Sequence, residues 1–459
     1  MQKKTFTIKE TFALALENYK KNNLKDAEKL YNEILSKKPD HFESTLYLGL
    51  LLLQIKNLIK AKALFEKAIK LRPNNVFAYH NYAQVLKELG ENKEAVNCFQ
   101  KVIKIQPNSV ASYNNLGNLF KELGKNKEAV NCFQKVIKIQ PNSVIAHNNL
   151  GTVFQAIKKH KKAIQCFNKA IGINYKFSMA HYNLGKIYKE LSNYSEAIKC
   201  FKLANTTRAR AELLESTYFS DGLKTYSTTL DKLSKKDPLN IRVATMAAYV
   251  SKKENISNTY PFCRNPLNYV FTKNLKNEID SPDRFSTNLS KILNKSDFIW
   301  EPATKSTTGG YHTSGNLFNK IDYELVELQE LIKQQINIYR NHYRSSKDYF
   351  ITKWPNKNDI EAWHVKLVKK GYQKPHIHPG GWLSGCFYLK IPKTLKENQG
   401  AIKFTLTGYD YPFDKKLPSL VHVPKIFDIA LFPSSLFHET IPFFSQEERH
   451  VIAFDIMPR

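Results

Sequence analysis

Three histidines and one arginine near the end of the chain have the types and spacing to hold a metal ion beside an anionic ligand. In Pro375-His376-Ile377-His378-Pro379, alternate residues of an extended segment point the same way, so both imidazoles can reach one ion. Taken alone, such a pair is more often structural or solvent-facing than ligating. A third histidine, His438, follows 60 residues after His378, in FPSSLFHET, where a strand is expected to end. Eleven residues further on, Arg449 precedes the apolar run expected to form the next strand. A guanidinium there can pair bidentately with a carboxylate and keeps its charge when partly buried. Two imidazoles from one strand, a distal imidazole and an arginine could thus bind a transition metal next to a carboxylate-bearing molecule. Histidine-rich sites accept zinc and copper as well as iron, so the residues alone do not select the metal.

The elements that must position these groups read as strands over 362–368, 383–391, 401–407, 427–432 and 450–456, joined by Gly- and Pro-containing turns, as in a small sandwich or barrel. A helix is expected at about 322–342, where Leu325, Leu328, Ile332, Ile336 and Tyr339 keep helical spacing. Trp382, Phe437, Phe443 and Phe444 could wall a pocket or fill a core, and His312 and His364 could line the site or be structural.

GYQKPHIHPGGWLSGCFYLKIP, FPSSLFHETIPF with the following Arg449, and the upstream WEPATKSTTGGYHTSGNLF resemble the 2-oxoglutarate/Fe(II)-dependent oxygenases found fused to tetratricopeptide repeats. The resemblance spans about 240–459. It implies a double-stranded β-helix (jelly roll), Fe(II), 2-oxoglutarate as cosubstrate, and oxidative decarboxylation coupled to hydroxylation of a substrate C–H bond. Carried over residue by residue, it makes His376, His378 and His438 the metal-facing groups and Arg449 the anchor of 2-oxoglutarate. One position departs from the wider superfamily, whose motif is HxD followed by a distal histidine: here His378 stands where the carboxylate would be. Three neutral imidazoles leave the site one negative charge poorer than a two-histidine, one-carboxylate triad. Either His378 ligates and the metal is retuned, or it stands behind His376 and His438.

The first half of the chain repeats itself. NKEAVNCFQKVIKIQPNSV occurs at 92–110 and again at 126–144, an offset of 34 residues, the period of helix-turn-helix repeats. Small residues recur at Gly49, Ala83, Gly117, Gly151 and Gly185, and again at Ala61, Ala95, Ala129, Ala163 and Ala197, where paired helices must approach closely. Rings at Tyr31, Phe65, Phe99, Phe133, Phe167 and Phe201 are expected to fill the gaps between hairpins, and Pro39, Pro73, Pro107 and Pro141 to end the second helices. This is the tetratricopeptide pattern over about 8–205, departed from at Tyr175, and six such units stack into a superhelix with a concave groove. Cys98, Cys132, Cys166 and Cys200 keep the same period and are expected as packing residues of a reducing compartment, too far apart for disulfides.

Asn81, Asn115, Asn149 and Asn183 recur at the same period. Their NNLG context resembles the repeats of O-linked N-acetylglucosamine transferases, in which an asparagine ladder binds a polypeptide backbone. A side-chain amide can both donate to and accept from a main chain, so peptide binding and bridging between neighbouring helices are both open. That resemblance ends with the repeats, because no doubly wound α/β pattern follows.

The expected architecture is therefore a multidomain α + β chain: an all-α array over 8–205, capping helices and linker over 206–255, and the oxygenase-like domain over 256–459. The formal charge of +29 comes from lysine spread along the whole chain without dedicated basic blocks, so a nucleic-acid partner ranks last. No apolar run is long enough to span a membrane and no export signal is evident, which places the expected protein in the cytoplasm. The leading expectation is a hydroxylase whose repeats recruit a protein or peptide. A small-molecule oxygenase and a non-catalytic scaffold with a degenerate β-domain are the alternatives.

Overall fold

The computed structural model describes residues 6–296, 298–301, 306–313, 315–319, 322–393, 397–408, 411–412 and 414–459. Residues 302–305 of the WEPATK segment therefore lie outside the described residues. The chain divides into two compact units, Met1–Ile187 and Tyr188–Arg459.

The first unit is a run of antiparallel helix pairs, such as Val110–Glu122 with Asn126–Ile139 and Val144–Ala156 with His160–Ile173. Ser143 caps the helix that follows it by accepting from the Ala146 N–H. Close approach explains the small residues: a Cβ at Gly151 would stand 2.6 Å from Cε1 of the wholly buried Phe167. The repeated ring thus lies against the first helix of its own hairpin, and is not confined to the gap between hairpins. Cys98, Cys132 and Cys200 are buried, Cys166 is partly so, and no disulfide forms among the described residues. Burial pushes all four thiols up to about 11, which leaves them inert packing groups.

The asparagine row is engaged within the array. The Asn183 amide donates to Asn148 at 2.9 Å, Asn149 lies 3.4 Å from both Asn148 and Asn118, Asn115 bonds the His80 ring at 3.2 Å, and Asn81 donates to the Phe77 carbonyl. Asn115, Asn149 and Asn183 thus bridge the first helices of successive repeats, whereas Asn81 bonds within its own helix.

The second unit opens with helices Tyr194–Ala204, Thr207–Lys236 (interrupted at Gly222) and Ile241–Lys253. The third of these is buried along almost its whole length, and Val243, Met246 and Tyr249 share an apolar core with Phe387, Ile429 and Phe454 of the strands that follow. It belongs structurally to the β-rich part.

Ten strands are described: β1 Phe271–Asn274, β2 Phe298–Trp300, β3 Thr307–Thr313, β4 Asn358–His376, β5 Leu383–Lys390, β6 Ile402–Thr405, β7 Ser419–His422, β8 Asp428–Pro433, β9 Phe437–Thr440 and β10 Arg449–Pro458. All pairs are antiparallel, in the order β1-β8-β5-β10-β4-β9-β6-β7, with β3 joined to β4 and β2 to β3. The long β4 pairs with β10 along residues 358–367 and with β9 at residues 373–376, so one strand carries the sheet around its curl. The result is the jelly-roll barrel expected. The helix at Tyr323–His342 also forms, whereas β1, β2, β3, β7 and β9 had not been anticipated as strands.

Candidate metal centre

His376 is the last residue of β4 and lies directly opposite His438 in the β4–β9 ladder. His438 belongs to the short strand β9, after a turn, and does not end the strand before it. His378 lies beyond the end of β4, so the two imidazoles of the HxH do not come from one strand as expected. A turn holds it there: its N–H donates to the Ser434 carbonyl at 3.1 Å and its carbonyl accepts from the Gly381 N–H at 3.0 Å. The three rings still converge. Ring centroids are 4.2 Å apart for His376 and His438, 5.1 Å for His376 and His378, and 5.0 Å for His378 and His438.

One nitrogen from each ring lies within 4.8 Å of one from each of the others. Two metal–imidazole bonds of about 2.1 Å reach across most of that distance, so small ring rotations close the triangle on one ion. Each Nδ1 already faces an acceptor: Lys374 O at 2.7 Å for His376, Leu436 O at 3.2 Å for His438 and Asp455 Oδ1 at 2.6 Å for His378. A proton on each Nδ1 makes each Nε2 the lone-pair nitrogen, the tautomer a metal ligand needs. Burial, reinforced by the other two rings, holds His438 well below the usual imidazole range and therefore neutral. His376 and His378 are only half-buried, which leaves one side of the triangle accessible.

The loop before His438 is braced from behind by the helix Ile241–Lys253, whose Thr245 hydroxyl donates to the Ser435 carbonyl at 2.8 Å. The rings flanking the imidazoles are Phe432, 4.6 Å from His438, and Trp363, 5.6 Å from His378. Of the four aromatic residues singled out in the sequence, Trp382 is core, its indole N–H donating to the Phe350 carbonyl, and Phe437 and Phe443 are buried. Phe444 is 58% exposed and walls nothing.

Arg449 opens β10. Its strand alternation puts Arg449, Val451, Ala453 and Asp455 on one face, the face that meets His378. The guanidinium is 2% exposed, donates from Nε to the Gly400 carbonyl at 3.0 Å and lies 5.1 Å from the centre of the Tyr388 ring. Among the described residues no carboxylate pairs with it, and the Tyr388 hydroxyl is buried beside it with no acceptor of its own. Burial draws the Arg449 pKa down, with Tyr388 opposing. A buried cation beside a buried hydroxyl, neither with an anionic acceptor among the described residues, has the chemistry to receive a carboxylate.

His312 and His364 lie on opposite sides of the sheet. His312 pairs across from Val365 and bonds Thr307, which accepts from Gln373 at 3.3 Å, and Gln373 in turn accepts from Thr440, two residues beyond His438. His364 faces away, against Phe298 and His450. Sequence reasoning missed Asp455, Ser384, Tyr388, Trp363 and Phe432. Only the alternation of β10 back from Arg449 offered a signal for any of them, at Asp455.

The chain is a helical-repeat protein carrying a jelly-roll domain in which three imidazoles converge. Residues 361–455 match the family model described as "Putative 2OG-Fe(II) oxygenase". Tetratricopeptide-repeat models match 83–124, 117–158, 144–174 and 180–209, and the model described as "Anaphase-promoting complex, cyclosome, subunit 3" matches 20–102. The chain thus joins tetratricopeptide repeats over 20–209 to a C-terminal domain of that oxygenase family at 361–455. Among curated proteins none matches. Similar solved structures include MamA, at 22% identity over 35% of this chain and 95% of that chain, TM-score 0.34. PilF of Pseudomonas aeruginosa is 20% identical over 45% and 96%, with a TM-score of 0.38. A tetratricopeptide repeat protein of Parabacteroides merdae is 16% identical over 50% and 93%, with a TM-score of 0.43. No described helix is long and apolar enough to cross a membrane.

Proposed function

We propose that the β-rich unit is an Fe(II)/2-oxoglutarate-dependent dioxygenase, a hydroxylase, and that the repeat array recruits a protein or peptide as its substrate. The convergence of His376, His378 and His438, each with Nδ1 committed to an acceptor, carries this reading. The ligand set fits a divalent transition ion, and the cradle of Arg449 and Tyr388 fits the far carboxylate of 2-oxoglutarate. When bound, iron and 2-oxoglutarate supply the oxidising chemistry. The chain's own part is to hold the ion by three Nε2 atoms, to fix the cosubstrate by the guanidinium, and to shield the site with Phe432, Trp363 and the barrel core. An intact triad speaks against a degenerate scaffold. Cysteines without a disulfide fit the reducing conditions of a cytoplasm.

A docking array tied to a catalytic domain raises the local concentration of whatever it holds. The asparagine row offers such an array amides that could exchange their mutual bonds for a peptide backbone. The test is 2-oxoglutarate turnover in the presence of Fe(II), followed as succinate, together with mass spectrometry of polypeptides retained by the repeats. Succinate formation and a gain of one oxygen on a retained polypeptide are expected. Absence of Fe(II)-dependent succinate with every retained polypeptide would overturn the hydroxylase reading.

A further inference from the structure

Asp455 has an unusual setting. It is 7% exposed, yet among the described residues no lysine or arginine pairs with it. Its Oδ1 is 2.6 Å from His378 Nδ1 and 2.6 Å from Ser384 Oγ. Ser384 Oγ lies in turn 3.2 Å from His378 Nδ1 and 2.8 Å from Ser434 Oγ. The chain keeps this space open, because a Cβ at Gly381 would stand 3.1 Å from Asp455 Cγ and 2.9 Å from Ser434 Oγ. A buried carboxylate without a cation is costly, and the cost falls when positive charge sits on the far side of the imidazole it touches.

The three histidines are not equivalent in this respect. His376 and His438 give their Nδ1 protons to neutral backbone carbonyls, at 2.7 and 3.2 Å, whereas His378 faces a carboxylate at 2.6 Å. Asp455 itself is not among the converging ligand groups. We infer that Asp455, from outside the coordination shell, supplies the negative charge that the histidine triad lacks, acting through His378 Nδ1–H as a positioning residue for a metal ligand. The carboxylate fixes the ring with Nε2 toward the ion and strengthens it as a donor, so His378 is a ligand and not a bystander. Ser384 holds the second contact of the same carboxylate oxygen, and Gly381 keeps the pair in reach. The inference rests on the metal-site reading of the triad.

The test is titration of the whole protein with Co(II), read as a dissociation constant and as the ligand-field absorption of the bound ion, which needs no turnover. Asp455→Asn keeps the shape and an acceptor for Nδ1–H but removes the charge. It is expected to bind Co(II) roughly 10–100-fold more weakly, with a shifted absorption band. Ser384→Ala should move affinity the same way by less, and it carries the test if Asp455→Asn fails to reach the wild-type circular dichroism and melting temperature. Wild-type affinity and spectrum in Asp455→Asn, or in Ser384→Ala where Asp455→Asn does not fold, overturn the inference. If His378→Ala costs no affinity while His376→Ala and His438→Ala abolish binding, the metal site stands and the role of Asp455 falls. If the wild-type protein binds neither Co(II) nor Fe(II), the metal-site reading fails first.

Discussion

His364 shows what a single side chain can cost. It is fully buried on the face of β4 opposite Trp363, and neither ring nitrogen has a hydrogen-bond partner. Burial first, then the nearby His450, Lys366 and His312, push its pKa down to about 3. The unfolded chain therefore takes up a proton near pH 6.5 that the folded chain refuses, so stability is full above that pH and falls as the pH drops. Between pH 6.5 and 5 the loss from this residue is about 2 kcal/mol. His364→Phe should flatten the decline by a similar amount, measured as urea midpoints at pH 7 and pH 5. At Arg449 the expectation is different. Arg449→Ala should weaken 2-oxoglutarate binding by 10-fold or more while Fe(II) binding is kept, because in the proposed site the guanidinium would hold the cosubstrate and not the ion. Arg449 and His438 were legible in the sequence because charge and ligand chemistry are properties of single residues. Asp455 and Tyr388 were not, because each matters only through a partner on another strand, and strand pairing is absent from a linear pattern.

Elements fix where those residues meet. The 34-residue repeat was readable because every unit must bury the same face against the same neighbour. The contact itself is tight enough to test: Gly151→Val places branched carbon where Phe167 already lies and should destabilise the first unit by several kcal/mol, seen as a lowered melting temperature. Strands β4, β5, β8 and β10 were legible as long apolar or β-branched runs, whereas β9 escaped notice because it is four residues long and carries His438 and Glu439 in its middle. Helices were expected over 206–255 as caps of the array, but that Ile241–Lys253 packs into the core of the β-rich part was not legible, because nearly every side of it is buried and no single face marks its partner. Its Thr245 supports the loop ahead of His438. Thr245→Val should leave that Ser435 carbonyl unpaired, cost 1–3 kcal/mol in the second unit's stability (order of magnitude) and weaken metal retention. Both effects can be read from thermal melts with and without Co(II).

For the whole molecule, the proposed function would give recognition to the first unit and chemistry to the second. A chain restricted to Tyr188–Arg459 should retain Fe(II) and 2-oxoglutarate binding, with the effect of deletion appearing as a raised KM for a polypeptide substrate and little change in kcat. The most direct measurement is anaerobic titration of the intact protein with Fe(II) and then 2-oxoglutarate, following the weak visible charge-transfer absorption of the chelate. A band that appears in the wild type, vanishes in His438→Ala and needs more 2-oxoglutarate in Arg449→Ala is expected. Intact protein that binds no iron and gives no band would contradict the oxygenase site.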